Sequence, residues 1–233
     1  MRYGRGARPV VRERAVPEAT VGRLPLYLRA LAEMVDTDGP VSSDALANAA
    51  GVTPAKVRKD LSYLGSYGTR GRGYDAAYLT HQIRRELGLT QHWPILIAGI
   101  GNLGHALANY KGFGERGFRV VGLVDVDDAK VGERVAGMAI RPLADLASLV
   151  HDEHIAIGVI ATPAAAAQEV ADLMVEAGLR SILNFAPAVV GVPEGVTVRK
   201  VDLAIELQIL AYYEQRSAAA PRMVAGGPAS ARS

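Results

Sequence analysis

The sequence predicts an α/β chain in two parts, a helical front body followed by a doubly wound parallel sheet, with a terminal helix exchanged between subunits. Three observations predict it. Up to about Leu87 apolar residues recur at helical spacing, whereas from Ile95 onward short Val- and Ile-rich runs alternate with helical segments, as in parallel strands joined by crossover helices. A strand-like Pro94-Ile95-Leu96-Ile97-Ala98 runs straight into a glycine-rich turn. The last helix carries apolar residues on two opposed sides.

Residues 1–16, rich in Arg, Gly and Pro, predict a mobile arm, and residues 17–88 the front domain. A first helix is expected over Ala19–Val35, with Leu24, Leu28, Leu31 and Val35 on one side and Pro25 in its early turns or bending it. A loop at Asp36–Pro40 precedes a second helix, capped at Val41-Ser42-Ser43-Asp44 and ending near Ala50. Gly51-Val52-Thr53 makes a tight turn, and Thr53-Pro54 supplies N-cap and first position of a third helix reaching about Leu64. Helix, short glycine turn, helix is the helix-turn-helix pattern. On the third helix Val57, Leu61 and Leu64 share the apolar back. Ala55, Lys59 and Ser62 face the other way, flanked by Lys56 and Arg58. Such a face can enter a major groove and reach phosphates and base edges. Between Gly65 and Tyr74 four glycines accompany Arg70 and Arg72, which predicts a β-hairpin wing with a basic tip. A short helix at Tyr78–Leu87 closes the domain. The charge agrees: residues 1–90 carry 14 Lys/Arg against 9 Asp/Glu, although the whole chain is only +2. The competing reading is a helical protein–protein domain with solvated arginines.

Residues 89–200 predict the second domain. Gly99-Ile100-Gly101-Asn102-Leu103-Gly104 follows a strand and opens a helix at about His105, the dinucleotide fingerprint in its required context. The first glycine permits the tight turn, the second admits a pyrophosphate to the backbone, and the third lets the helix pack closely. A second strand, Arg119–Val124, ends at Asp125, 21 positions after Gly104, where an acid would accept from an adenosine 2′-hydroxyl and repel a 2′-phosphate. NAD(H) rather than NADP(H) is the expected ligand of this Rossmann-type fold, with another adenylate such as coenzyme A as the alternative. Further strands are expected at Ile155–Ala161, at Ser181–Leu183 and at Val196–Arg199, with a helix at Ala164–Ala177. Thr162-Pro163 and Asn184-Phe185-Ala186-Pro187 then fall at the cleft edge.

In the last helix, Val201–Arg216, Leu203, Leu207 and Leu210 form one stripe and Ile205, Ile209 and Tyr212 another on nearly the opposite side. Two opposed apolar faces require two walls, which a homodimer exchanging this helix would provide; a wedge between the chain's own domains is the alternative. Residues 217–233 predict a disordered tail.

Several classes are excluded or disfavoured. The chain has no cysteine, so disulfides, thiolate metal sites and thiol catalysis are out. No apolar run approaches membrane-span length and no signal peptide opens the chain, so a cytoplasmic protein without membrane contact is expected. His151 and His154 have metal-like spacing but no evident third ligand, so they are assigned to a solvated loop and no metal is expected. The second domain carries no Tyr-x-x-x-Lys pair, and His105, directly after the last glycine, would face the phosphates rather than the hydride centre, which argues against an enzyme.

These residues together resemble the Rex family of redox-sensing transcriptional repressors. The likeness runs from about Ala19 to Gln215. It is carried by Thr20–Tyr27 with Arg23, Val57–Tyr63, Gly68–Tyr74, Gly99–Gly104, Asn109-Tyr110-Lys111-Gly112-Phe113 and Asn184–Pro187. The resemblance implies a homodimer with a winged helix-turn-helix domain, a Rossmann domain and an exchanged final helix. It implies a protein that holds double-stranded operator DNA when NAD+ is high and lets go when NADH rises. Gly99, Ile100, Gly101, Asn102, Leu103 and Gly104 would hold the pyrophosphate and Asp125 the ribose; Ala161 and Thr162 would line the cleft. Tyr110 and Phe185 would sit near the nicotinamide, in an apolar pocket that prefers the neutral reduced ring because burying an unpaired cation is costly. Arg23, Lys56, Arg58, Lys59, Ser62, Arg70 and Arg72 would meet DNA. The rival readings are a small NAD-dependent dehydrogenase with a basic dimerisation domain and an architectural DNA binder with a vestigial nucleotide fold.

Overall fold

The structure, a computed structural model, describes residues 16–34, 39–65, 68–69 and 73–219. The chain divides into two compact units, Met1–His92 and Trp93–Ser233.

In the first unit two helices, α1 (Glu18–Val21) and α2 (Leu24–Glu33), replace the single one expected over Ala19–Val35. Pro25 has no N–H to donate, so it is accommodated in the opening turn of a new helix rather than inside a long one. Val35 lies outside the described residues. Helix α3 (Ser43–Ala50) starts where Ser42 Oγ accepts from the Ala45 amide at 3.0 Å, and it stops at Gly51, in the left-handed conformation. Helix α4 (Pro54–Leu64) starts where Thr53 Oγ1 accepts from the Lys56 amide at 3.3 Å. These caps are the ones the sequence predicts. The strands β1 (Gly68–Thr69) and β2 (Gly73–Tyr74) pair antiparallel, and Val41 bonds reciprocally to Tyr74 along the edge of β2. The expected basic tip, with Arg70 and Arg72, lies outside the described residues. Helix α5 (Ala76–Glu86) begins two residues before the expected Tyr78 because Asp75 Oδ1 accepts from the Tyr78 amide at 2.8 Å. Leu24, Tyr27, Leu31, Leu46, Val57, Leu61, Leu79 and Ile83 fill the core of this unit.

The second unit runs β3 (Trp93–Ala98), α6 (Asn102–Ala108), α7 (Gly112–Glu115), β4 (Phe118–Asp125), β5 (Arg134–Val135), β6 (Met138–Pro142), α8 (Leu146–Asp152), β7 (Ile157–Ile160), α9 (Ala167–Glu176), β8 (Ser181–Asn184), β9 (Thr197–Lys200) and α10 (Leu203–Ala219). Its sheet order among the described residues is β5-β6-β4-β3-β7-β8-β9, parallel throughout except for β5 against β6. The chain runs outward from β3 through β4 and β6, then returns to the other side of β3 for β7, β8 and β9. The carboxyl ends of β3, β4 and β7 therefore meet at the switch point, where an open sheet of this kind forms its ligand cleft.

The two faces of the sheet are unequally covered. Leu146, Leu149 and Val150 from α8, with Val170, Ala171 and Met174 from α9, pack one face. On the other face Ala108 and Phe113, from α6 and α7, join Ile95, Ile97, Leu123 and Val159. A hairpin rather than a helix links β4 to β6, and an irregular loop links β8 to β9. This second face keeps an apolar groove of about 300 Å³, bordered by Ile95, Phe113, Phe118, Ile157, Val159 and Leu183.

The sequence reasoning did not foresee β5, β6, α7 and α8. The β5–β6 hairpin turns on Ala136 and Gly137, both at positive φ (52° and 83°), as a two-residue hairpin of the primed type requires. Alanine at the first position hides that signal, since Asn or Asp is the usual residue there. The expected solvated loop at His151–His154 is partly helical, because α8 continues through Asp152. The strand expected over Ile155–Ala161 is confined to Ile157–Ile160. The helix expected over Ala164–Ala177 opens as a single 3-10 turn, Ala164–Ala166.

Helix α10 also differs in its ends. It starts at Leu203, not Val201, since Asp202 Oδ1 accepts from the Ala204 amide at 3.1 Å and pairs with Lys200 at 3.1 Å. It continues past Arg216 through Ser217-Ala218-Ala219, where alanine favours the helix. From Leu203 to Arg216 every residue is exposed, Leu207 at 67% and Tyr213 at 62% among them. The burial that two apolar stripes call for is not supplied by the described residues of this chain. Among the described residues no helix is long and apolar enough to cross a membrane, and no three His, Cys, Asp or Glu side chains gather as a metal site would require.

Candidate functional site

A cleft of about 350 Å³ opens at the switch point of the second unit. Gly99 and Gly101 border it from the turn after β3, Asp125 from the end of β4, and Ala161 and Thr162 from the end of β7. A Cβ on Gly99 would stand 2.7 Å from Thr162 Cγ2 and 2.9 Å from the Ala161 carbonyl, so the two strand ends close up only around glycine. No neighbouring atom lies within 4 Å of the place a Cβ on Gly101 would occupy, which leaves its backbone open to the cleft. A Cβ on Gly104 would overlap the carbonyl oxygen of Gly99, so α6 can rise this close to the turn only without a side chain there. Ile100 is buried; Asn102 and Leu103 are exposed on the first turn of α6.

Asp125 is buried at 7% exposure. Its Oδ2 accepts from the Ile100 amide at 2.7 Å and from Lys130 Nζ at 3.2 Å, and its Oδ1 accepts from the Asp127 amide at 2.9 Å. Burial pushes this carboxyl upward, but the two amides and the ammonium outweigh it and hold the group below its ordinary value of 3.8. The acid therefore stays ionised at neutral pH and braces the glycine turn. Across the cleft Thr162 is 8% exposed, and its Oγ1 has no hydrogen-bond partner among the described residues. A buried hydroxyl left unpaired costs about 1–3 kcal/mol. A ligand atom in the cleft would relieve that cost, so the residues present fit a polar ligand.

Lys130 is the charged cleft residue that sequence reasoning missed, together with the apolar lining residues Val126, Leu143, Ala166 and Val170. Among the described residues the titratable groups bordering the cleft are Asp125 and Lys130, and each is engaged by the other. The available signal was the short Asp125-Val126-Asp127-Asp128-Ala129-Lys130 segment, whose Asx turn at Asp127 returns the chain toward the strand end. Tyr110 and Phe185 are not among the residues bordering the cleft. Tyr110 is 52% exposed, its ring edge-on to Phe113 at 5.1 Å, and Phe185 is half-buried against the α6–α7 face of the sheet. Asn184 shapes the loop carrying Phe185: its Oδ1 accepts from the Ala186 amide at 2.8 Å and its Nδ2 donates to the Ala188 carbonyl at 2.9 Å.

On the first unit Lys56, Arg58, Lys59 and Ser62 all lie exposed on α4. Arg23 is placed differently. Its Nε and Nη2 donate to the two oxygens of Asp60 at 2.6 and 2.7 Å, so its guanidinium is engaged inside the unit. Tyr27 Oη and Thr20 Oγ1 donate to the same carboxylate at 2.7 and 2.9 Å. Burial pushes the Asp60 carboxyl upward, but these donors outweigh it and hold the group below its ordinary value. Asp60 was legible in principle, as an acid at i+3 of the Val57, Leu61, Leu64 stripe that faces the core.

Residues 15–62 match the family described as "Putative DNA-binding protein N-terminus", and residues 90–188 the family described as "CoA binding domain". The redox-sensing transcriptional repressor Rex of Streptomyces coelicolor is 62% identical over 94% of this chain and 85% of its own length. That of Pelotomaculum thermopropionicum is 48% identical over 84% of this chain and 93% of its own. Among solved structures, RSP in complex with β-NAD+ and operator DNA aligns with a TM-score of 0.82 at 32% identity, over 88% of this chain and 95% of that one. RSP in complex with β-NADH aligns at 0.80 and 31%, over 88% and 97%. With the glycine turn, the braced acid and the cationic helix all in place, the chain belongs to the Rex family of redox-sensing transcriptional repressors.

Proposed function

We propose that this protein is a redox-sensing transcriptional repressor, a homodimer that holds operator DNA through α4 and its wing and releases it when NADH occupies the cleft. The observation that carries the reading is a switch-point cleft whose described titratable groups, Asp125 and Lys130, are paired with each other, in a chain that also bears an exposed cationic helix. Such a cleft binds without performing proton transfer, which separates a sensor from a dehydrogenase.

The dinucleotide, when bound, supplies its oxidation state: neutral in the reduced nicotinamide, cationic in the oxidised one. Gly99, Ile100, Gly101, Asn102, Leu103 and Gly104 would hold the diphosphate, with the open backbone at Gly101 as the closest approach. Asp125 would accept from the adenosine ribose, and Ala161 and Thr162 would border the other wall. The same acid disfavours coenzyme A, whose ribose carries a phosphate. Tyr110 and Phe185 are assigned to the nicotinamide end. Lys56, Arg58, Lys59 and Ser62 would meet the operator, with Arg70 and Arg72 from the expected wing, while Arg23, bordering the same groove as Lys56 and Lys59, positions α4 through Asp60. The dimer is supported by two unpartnered apolar surfaces, the stripes of α10 and the groove on the sheet, which a second copy can cover together.

Reciprocity requires that NADH and operator weaken each other's binding by the same factor. Sedimentation of the protein with labelled operator, titrated with NADH against competing NAD+ at fixed salt, measures both claims. The expected result is two chains per operator and release by NADH. A complex that survives saturating NADH overturns the sensing, and one chain per operator overturns the dimer. In the same assay Lys59→Ala should weaken operator binding and lower the salt dependence by about one counterion, with NADH affinity unchanged.

A further inference from the structure

Lys130 has a role that the glycine fingerprint does not describe. Ala129 donates its amide to Asp127 Oδ1 at 3.0 Å and Lys130 donates its amide to the Asp127 carbonyl at 2.9 Å, which closes a turn just beyond β4. That turn brings the Lys130 ammonium back to the cleft, 3.2 Å from Asp125 Oδ2 and 3.6 Å from Asp127 Oδ2, with 34% of its side chain exposed. A cation thus stands beside the acid that would receive the adenosine ribose.

In dinucleotide clefts a cation at this place is what accepts a ribose 2′-phosphate. Here two carboxylates face one ammonium, so the local charge stays negative and an incoming phosphate meets repulsion before it meets Lys130. We propose that Lys130 is a second determinant of ligand choice in this cleft, a phosphate-binding group masked by Asp125, so that the acid's hold on the lysine keeps NADPH out. The proposal rests on the dinucleotide reading above and adds the residue through which selectivity can be reversed. Specificity here is a difference between two affinities, and one charge pair sets it.

Calorimetric titration of NADH and of NADPH into the full-length protein tests it, with operator affinity in the absence of dinucleotide as the control for folding. Asp125→Asn should raise NADPH affinity roughly ten- to hundredfold, the worth of one charge-assisted hydrogen bond. The double variant Asp125→Asn with Lys130→Ala should lose that gain. A gain that persists in the double variant, or no gain in Asp125→Asn while NADH still binds, overturns the assignment. Asp125→Ser, whose hydroxyl can still accept from a turn amide, serves if Asp125→Asn loosens the turn. It should show the same gain in NADPH affinity, lost again when Lys130→Ala is added, and a gain that survives Lys130→Ala overturns the assignment. A wild-type protein that binds operator but no NADH overturns the dinucleotide reading itself, and Lys130 as its selector with it.

Discussion

Asp60→Ala is expected to destabilise the first unit by roughly 3–5 kcal/mol, the cost of removing one partner from a buried ion pair. The carboxylate is 1% exposed and accepts from Arg23, Tyr27 and Thr20, so its loss leaves a guanidinium and two hydroxyls facing a gap between α4 and the α1–α2 segment. The measurement is selective, because the chain has a single tryptophan, Trp93, which lies on β3 in the second unit. Denaturant melts followed by far-ultraviolet dichroism should show a new early transition, while the Trp93 emission midpoint stays in place. Operator affinity should fall with the early transition and NADH affinity should hold. Coincident loss of both signals would contradict separate units, and no loss would contradict the clamp.

The pH dependence follows from the same group. Asp60 is held below its ordinary value, so its contribution to stability is fully present above the ordinary carboxylate range and is lost as pH falls through its folded-state value. The acid limb of the first unit's stability should flatten in Asp60→Asn, which cannot titrate. A limb of unchanged steepness would assign the acid sensitivity to other carboxylates.

Gly104→Ala is the second large effect. The added methyl would overlap the Gly99 carbonyl oxygen, which is backbone and cannot swing away as a flexible side chain would. Overpacking of this kind costs roughly 1–3 kcal/mol, which leaves the protein folded but displaces α6 or the glycine turn. NADH affinity should fall about ten- to hundredfold by the same energy. Operator binding without dinucleotide should be retained, giving a repressor that responds only at correspondingly higher NADH. Calorimetry and an operator titration on one preparation check this; undiminished NADH affinity would place the ligand elsewhere.

Much of the molecule was legible because its signals are local. Thr53-Pro54 starts a helix, Gly51 ends one, and Val- and Ile-rich runs bounded by turns make buried strands, each for reasons confined to a few residues. The glycine turn and the acid 21 residues beyond it belong to the same class, since a βαβ unit brings both to one sheet edge. The β5–β6 hairpin was not legible, because Ala136 carries the positive φ that Asn or Asp usually announces. The break between α1 and α2 was half legible: Pro25 marks the opening turn of α2, on which Leu24, Leu28 and Leu31 keep their helical spacing, but Gly22 and Arg23 carry no distinctive stop signal.

The sequence by itself determined the two-part architecture, the parallel sheet, the recognition helix and the location of the cleft, because periodicity and turn chemistry act over one or two turns of chain. The tertiary structure alone decided which charges are free. It gave Arg23 to Asp60 across 37 residues, turned Lys130 onto Asp125, and left an apolar groove on one face of the sheet and the apolar stripes of α10 from Leu203 to Tyr213 exposed. The physical reason is that ion pairing and burial depend on distance in space, which a linear pattern specifies only after the chain has folded.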